Sequence, residues 1–320
     1  MPAIDRTNLS GLIPEPATRE IIQGAIAESA VLRMARRLPN MTSKTQTLNV
    51  LDALPTAYFV NGEPTSSGAE QAAFKQTTSM AWDKKKIHAE EIAVIVPIPE
   101  AVLDDSNYDI WAEVRPRLTE AFGRVIDAAI LYGTNKPTSW REGLLPSATT
   151  ATATLKATND IYTDIMGEKG VIAKVEESGY IPNGVMAAVQ MRAKLRGLKD
   201  TTGQPIFKTD MQGSTRYALD GMDMYFPMNG AFDPSKSLAI VGDWNQLVYS
   251  IRQDMTFKIF DSGVIQNPAD KSILYNLMQN DMVAIRAVMR LGWEIPNPVN
   301  AFNSGNENAF PFAVYEPAGG

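Results

Sequence analysis

The sequence predicts an α+β fold, and three observations predict it. Apolar residues recur at helical spacing across 111–132, the longest periodic segment in the chain. Strand-type runs cluster before that segment, over 45–99, and again after it, over 216–295. Helix and strand signals mix without the regular βαβ alternation of a doubly wound sheet.

Taken in order, residues 1–44 begin as an extended arm. Pro14 and Pro16 resist helix, whereas Ile21, Ile22, Ala25, Ile26, Val31 and Leu32 favour it after Thr18. Arg33, Arg36 and Arg37 cluster where cations suit the end of that helix. Residues 45–90 read as short β-type pieces, TLNVL, AYFV and MAWDKKKIHAEEI, around the loop NGEPTSSGAE. Their apolar mass is too small for a core, so the segment is a two-stranded excursion that needs another surface. Lys84, Lys85 and Lys86 are the solvated charges of a strand edge.

The run EEIAVIVPIP then feeds the long helix. Trp111, Val114, Leu118, Ala121 or Phe122, Val125, Ala129 and Tyr132 step by three and four, and Ile126 and Ile130 broaden the stripe. Asp104, Asp105 and Ser106 supply capping oxygens, and Gly133 stands where a C-terminal cap belongs. Pro116 lies inside the period, where a straight helix would lose roughly 3 kcal/mol. The helix therefore starts near Pro116 or bends there.

A threonine-heavy crossing follows, ending in Asn159 or Asp160 as a helix cap. Helical spacing resumes at Ile161, Ile165, Ile172 and Val175, and GYIPNGVMAAVQMRAKLR gives a strand and then a helix through Leu195. Strands dominate 216–265 (MDMYFPM, SLAIVGDW, FKIFDSG), interrupted by a short helical piece over 246–251. DMVAIRAVMRLGWEI is a strong apolar strand, and residues 301–320 form a Pro/Asn/Gly-rich tail.

Composition narrows function. No run approaches the roughly 18 apolar residues of a membrane span, and MPAIDRTNLS lacks the features of an export signal; folding in a cytoplasm is expected. The absence of cysteine excludes disulfides and thiol chemistry, and a single histidine, His88, excludes His-rich metal motifs. A net charge of -6 argues against a dedicated polyanion binder. The phosphate-cradling patterns GxxxxGK[ST] and GxGxxG are absent, as are GxSxG and HExxH. Asp220 and Asp223 flank a glycine turn and read as turn residues, while Met222, Met224 and Met228 read as strand packing. No catalytic, cofactor-binding or metal-binding residue is expected, and an enzyme built around Asp220 and Asp223 is the remote alternative.

The order of the pieces resembles the Hong Kong 97 type major capsid proteins of tailed double-stranded DNA phages. The resemblance is carried by the N-terminal arm, AYFVNGEP, MAWDKKKIHAEEIAVIVPIPEAVL, DIWAEVRPRLTEAFGRVIDAAILYG, KLRGLKDTTGQPIF, GDWNQLVYSIRQDM and NDMVAIRAVMRLGWEIPNP. It implies an N-terminal arm (1–44), an extended loop (45–86), a peripheral domain with a spine helix (87–136 and 281–300), an axial domain (137–280) and a C-terminal tail (301–320). It implies self-assembly through pentamers and hexamers into an icosahedral virion shell, assembled in the host cytoplasm. That shell encloses double-stranded DNA without sequence-specific binding and without a membrane.

A separate scaffolding protein is an implied partner, because the arm starts almost at Met1 and leaves no room for a built-in scaffolding segment; a portal and a decoration protein are further partners that the resemblance implies. Nothing marks a lysine and asparagine pair for the covalent crosslinking of some relatives, so no crosslinks are expected. Pro116 and the loop from Gly62 to Gly68 are expected to adapt the subunit to five- and six-fold surroundings. An encapsulin-type nanocompartment with protein cargo is the nearer alternative.

Overall fold

The computed structural model describes residues 29–57, 77–104, 110–158, 160–198, 218–304 and 308–318. Helix α1 (Ala30–Met34) leads into the short strand β1 (Arg36–Arg37), followed by β2 (Thr45–Ala53), β3 (Ala81–His88) and β4 (Glu90–Pro99). Helices α2 (Glu100–Asp104), α3 (Ile110–Tyr132) and α4 (Leu144–Thr150) come next, then strand β5 (Thr154–Lys156) and helices α5 (Ile161–Met166) and α6 (Val171–Glu177). Strand β6 (Gly184–Ala187) and helix α7 (Val189–Arg196) precede β7 (Ala218–Leu219), β8 (Met222–Tyr225) and β9 (Ala239–Gly242). The chain closes with β10 (Val248–Phe260), β11 (Val264–Gln266), β12 (Ile273–Asn276), β13 (Met282–Glu294) and β14 (Phe312–Glu316).

Two sheets carry the fold: a four-stranded one ordered β1-β10-β13-β4 and a six-stranded one ordered β5-β14-β9-β6-β8-β7. Two separate ribbons, β2-β3 and β11-β12, stand outside them. One continuous core joins Ile98 of β4, Phe122 and Ile130 of α3, Val185 of β6, Leu291 of β13 and Val314 of β14. Each such side chain contributes about 1.5–3 kcal/mol on full burial.

Helix α3 runs unbroken through Pro116. Its buried arc follows Leu118, Phe122, Ile126 and Ile130, widened by Thr119, Asp127 and Leu131. Val125, expected inside that arc, is exposed: at about 100° per residue it lies about 20° beyond Leu118, just outside the arc's edge. Gly133 closes the helix as expected: its φ is +69°, and its N–H bonds the Ala129 carbonyl at 3.0 Å. Asp105, Ser106, the side chain of Trp111, the helix expected after Thr18 up to residue 28, and Asn159 lie outside the described residues.

Four further expectations need correction. Arg36 and Arg37 belong to β1, parallel to β10, and not to a helix end. The threonine-heavy crossing contains α4 and β5; Leu144 and Ala148 of α4 are buried at helical spacing. Residues 248–251 belong to β10, where Val248, Tyr249 and Ile251 pair with β13, and only Trp244–Gln246 form a single 3₁₀ turn. The largest departure is the C-terminal tail. Its Phe312–Glu316 segment is β14, inserted between β5 and β9, with Phe312, Ala313, Val314 and Tyr315 almost fully buried. Proline, asparagine and glycine on both sides hide a four-residue apolar run too short to register as a pattern.

Candidate assembly surfaces

The β2-β3 ribbon is clamped at its root and opens toward its outer end, although Val50 is buried and Val299 N donates to the Leu51 carbonyl at 3.0 Å. Antiparallel pairing runs from Thr45 opposite His88 to Ala53 opposite Ala81. At the root, Ile87 is fully buried in a small cluster with Met41, Ala89 and Val248. The indole Nε1 of Trp140 donates to the His88 carbonyl at 2.9 Å, and Ser139 Oγ donates to Glu90 Oε1 at 2.7 Å. Gly292 lets the root cross β13, since a Cβ there would sit 2.4 Å from the His88 carbonyl oxygen. Farther out, Trp82 is 61% exposed and Met80 is also open. Lys85 and Lys86 pair with Leu48 and Thr47 in the half of the ladder next to the root, and Lys84 pairs with Asn49 at its middle. The loop from Gly62 to Gly68 lies outside the described residues.

A buried carboxylate ties the N-terminal segment to α3. Ser29 caps α1, its Oγ accepting from Leu32 N at 3.1 Å. The same hydroxyl donates to Asp127 Oδ1 at 2.5 Å. The N–H groups of Ala30 and Val31 donate to Asp127 at 2.8 and 3.2 Å, and Asn229 Nδ2 donates to Oδ2 at 2.6 Å. Asp127 thus satisfies first-turn donors that α1 cannot satisfy itself. Burial pushes its carboxyl above the usual aspartate range despite these four donors. The sequence reading missed this residue, and no local signal marks it: on the helix it lies about 20° from Glu120.

A third surface is an apolar corner. Ile181 and Phe302 are 85% and 86% exposed. The loops that carry them are locked together: Tyr180 OH donates to Asn297 Oδ1 at 2.6 Å, and Asn303 Nδ2 donates to Tyr180 OH at 3.1 Å. Asn300 Nδ2 adds a bond to the Gly179 carbonyl at 2.9 Å. Burial pushes the Tyr180 hydroxyl up to about 12, so it keeps its proton and its donor role. Another apolar patch lies around the β11-β12 ribbon, where Ile259, Val264, Ile273, Leu274 and Met278 are open.

The residues considered for chemistry do not converge. Asp220 and Gly221 have φ of +49° and +75° in the turn joining β7 to β8, and Asp223 pairs within β8, so both aspartates serve a turn and its flanking strand. His88 ends β3, with Nδ1 3.3 Å from Thr45 Oγ1. Met222 packs inward, but Met228 lies beyond β8 and is exposed, contrary to its expected packing role. Among the described residues no three His, Asp or Glu side chains gather as metal ligands, and no helix is long and apolar enough to cross a membrane.

A family model described as the phage capsid family matches residues 10–306. The major capsid protein of Staphylococcus phage 80alpha is 22% identical over 289 residues, spanning 89% of this chain and 82% of its own. A solved structure from Microbacterium phage Oxtober96 superposes with a TM-score of 0.76 at 32% identity, covering 95% of this chain and 93% of that one. One from Mycobacterium phage Adephagia gives 0.75 at 28%, covering 100% and 99%.

Proposed function

From the premise that this chain belongs to the phage capsid family, and is a shell-forming structural protein and not an enzyme, we propose how it builds its shell. Copies associate head to tail as pentamers and hexamers, which close into an icosahedral shell around a double-stranded DNA genome. The observation that carries this reading is the β2-β3 ribbon, which extends from a clamped root while leaving Trp82 and Met80 open. Laid across a neighbouring copy, the ribbon gains cover for Trp82 and Met80, and a contact between unlike surfaces closes into rings when its rotation permits. Obligate contacts of this kind bury about 2,000 Å² or more, and a closed shell multiplies modest individual affinities.

Residues 1–44 act as the arm, 45–86 as the extended loop, 87–136 with 281–300 as the peripheral domain, and 137–280 as the axial domain. The β14 strand belongs with the axial part, because it pairs with β9. A separate scaffolding protein directs assembly in the host cytoplasm, a portal admits the DNA, and a decoration protein binds outside. The net charge of -6 suits a container through which DNA passes without sequence-specific binding.

Negative-stain electron microscopy with sedimentation tests the reading. Closed shells, or rings of five and six, are expected for the protein expressed alone or with scaffold. A monomer that persists in the presence of scaffold would overturn it. Nucleic acid inside native particles would separate a genome container from a nanocompartment with protein cargo.

A further inference from the structure

The four-stranded sheet has one face in the core and one outside, and the outer face holds an unbalanced charge cluster. On β13, Ile285, Ala287, Met289 and Leu291 enter the core, so Arg286, Val288 and Arg290 lie on the opposite face. The register sets Lys258 of β10 directly opposite Arg286, and Gln253 opposite Arg290. On the other side, β4 sets Ile95 beside Arg286 and Glu91 beside Arg290. Lys258, Arg286, Arg290, Glu91, Thr256 and Gln253 line a cleft of about 280 Å³.

The three cations are not equivalent. Arg290 is paired: its Nε donates to Glu91 Oε2 at 2.7 Å, and its NH2 group lies 2.5 Å from the same oxygen. Glu91 is the only carboxylate lining the cleft, and Arg290 uses it. Lys258 and Arg286 have no ion-pair partner among the described residues. The Arg286 guanidinium is held 4.9 Å from the centre of the Phe260 ring, and its Nε is buried without an acceptor. Like charges directly opposite on a sheet face destabilise the pairing, and a buried charged donor without an acceptor adds to that cost. Within one subunit, this arrangement lacks an anion.

We propose that the cleft receives an Asp or Glu carboxylate from a second copy of the chain, with Lys258 and Arg286 as its two cationic partners. A guanidinium fixed by stacking, with an ammonium one cross-strand step away, suits the two oxygens of a single carboxylate. The chain's net charge of -6 gives every copy surplus carboxylates to offer. A nucleic-acid backbone fits less well, because it calls for a track of cations, whereas this cleft has two free ones bordered by Glu91. The inference rests on the self-assembly reading and assigns one contact within it.

Zero-length carbodiimide coupling of assembled particles tests the contact. After coupling, chains are separated on a denaturing gel, and the monomer and dimer bands are digested for mass spectrometry. An amide joining Lys258 to an Asp or Glu peptide is expected in the dimer band and absent from the monomer band. The same amide in the monomer band, or none at Lys258 in well-formed shells, would overturn the proposal while leaving shell formation intact. Protection of Lys258 that depends on nucleic acid, without any such amide, would assign the cleft to phosphate and also overturn it. Failure to form particles at all would count against the assembly reading instead.

The double variant Lys258→Gln, Arg286→Gln gives a second readout that a purely structural role would not produce. Its unassembled subunit should melt no lower than wild type, whereas its shells should dissociate at lower salt. A lower subunit melting temperature with unchanged shell salt resistance would contradict the proposal.

Discussion

Asp127 is fully buried on α3, yet a lone acid within a helix is ordinarily read as solvated. Its role depends on Ser29, Ala30 and Asn229, about a hundred residues away in either direction, and no local pattern joins them. Asp127→Ala would leave four donors without acceptors and should cost about 3–5 kcal/mol in urea unfolding, given about 1–3 kcal/mol per orphaned buried group and incomplete additivity. Faster amide exchange at Ala30 and Val31 should accompany the loss; unchanged exchange there would contradict the assignment.

The pH dependence follows from the direction of the shift. Burial raises the folded carboxyl above its unfolded value of about 3.9, so its contribution is fully present below that value and is lost as pH rises through the folded value. The stability difference between wild type and Asp127→Asn should therefore favour wild type most at acid pH and shrink toward neutrality. A difference that grows with pH would contradict it. At Gly292 the constraint is steric. Gly292→Ala should cost about 1–3 kcal/mol by forcing the ribbon root off β13, measured as a lower melting temperature of the subunit.

At the scale of elements, length and periodicity decided what was legible. Helix α3 was visible because its 23 residues repeat one pattern several times, and β13 because apolar residues fill most of its 13 positions. The β2-β3 ribbon was legible from what it lacked, an apolar face large enough to bury. Helix α4 and strand β14, of seven and five residues, were not. Each is defined by pairing or packing with distant chain: β14 becomes a strand because β5 and β9 flank it. Deleting residues 308–320 should therefore abolish soluble folded protein, although composition alone marks them as an expendable tail. A soluble, fully folded deletion variant would refute that.

Pro116 poses the opposite case, a helix breaker inside a continuous helix. Pro116→Ala should raise subunit stability by about 1–3 kcal/mol through the restored hydrogen bond and the relieved ring clash. If Pro116 serves adaptation to five- and six-fold surroundings, that variant should give shells of altered size or yield. Normal shells of normal size would remove Pro116 from that role.

For the whole molecule, the capsid identity came from the order of many weak signals, and no catalytic or binding motif contributed. The proposed assembly surfaces are the part least written in local sequence, since the exposure of Trp82 and Phe302 emerges only once the chain is folded. No lysine and asparagine pair is marked for crosslinking, so boiled, denatured particles should run as a single band near the chain's 35.0 kDa; a ladder would contradict this. The central claim is that the β2-β3 ribbon belongs structurally to its neighbour. A cryo-electron microscopy reconstruction of assembled particles tests it most directly. The account predicts rings of five and six in which each ribbon lies across the adjacent copy and covers Trp82; a ribbon folded back on its own subunit, with Trp82 still open to solvent, would contradict it.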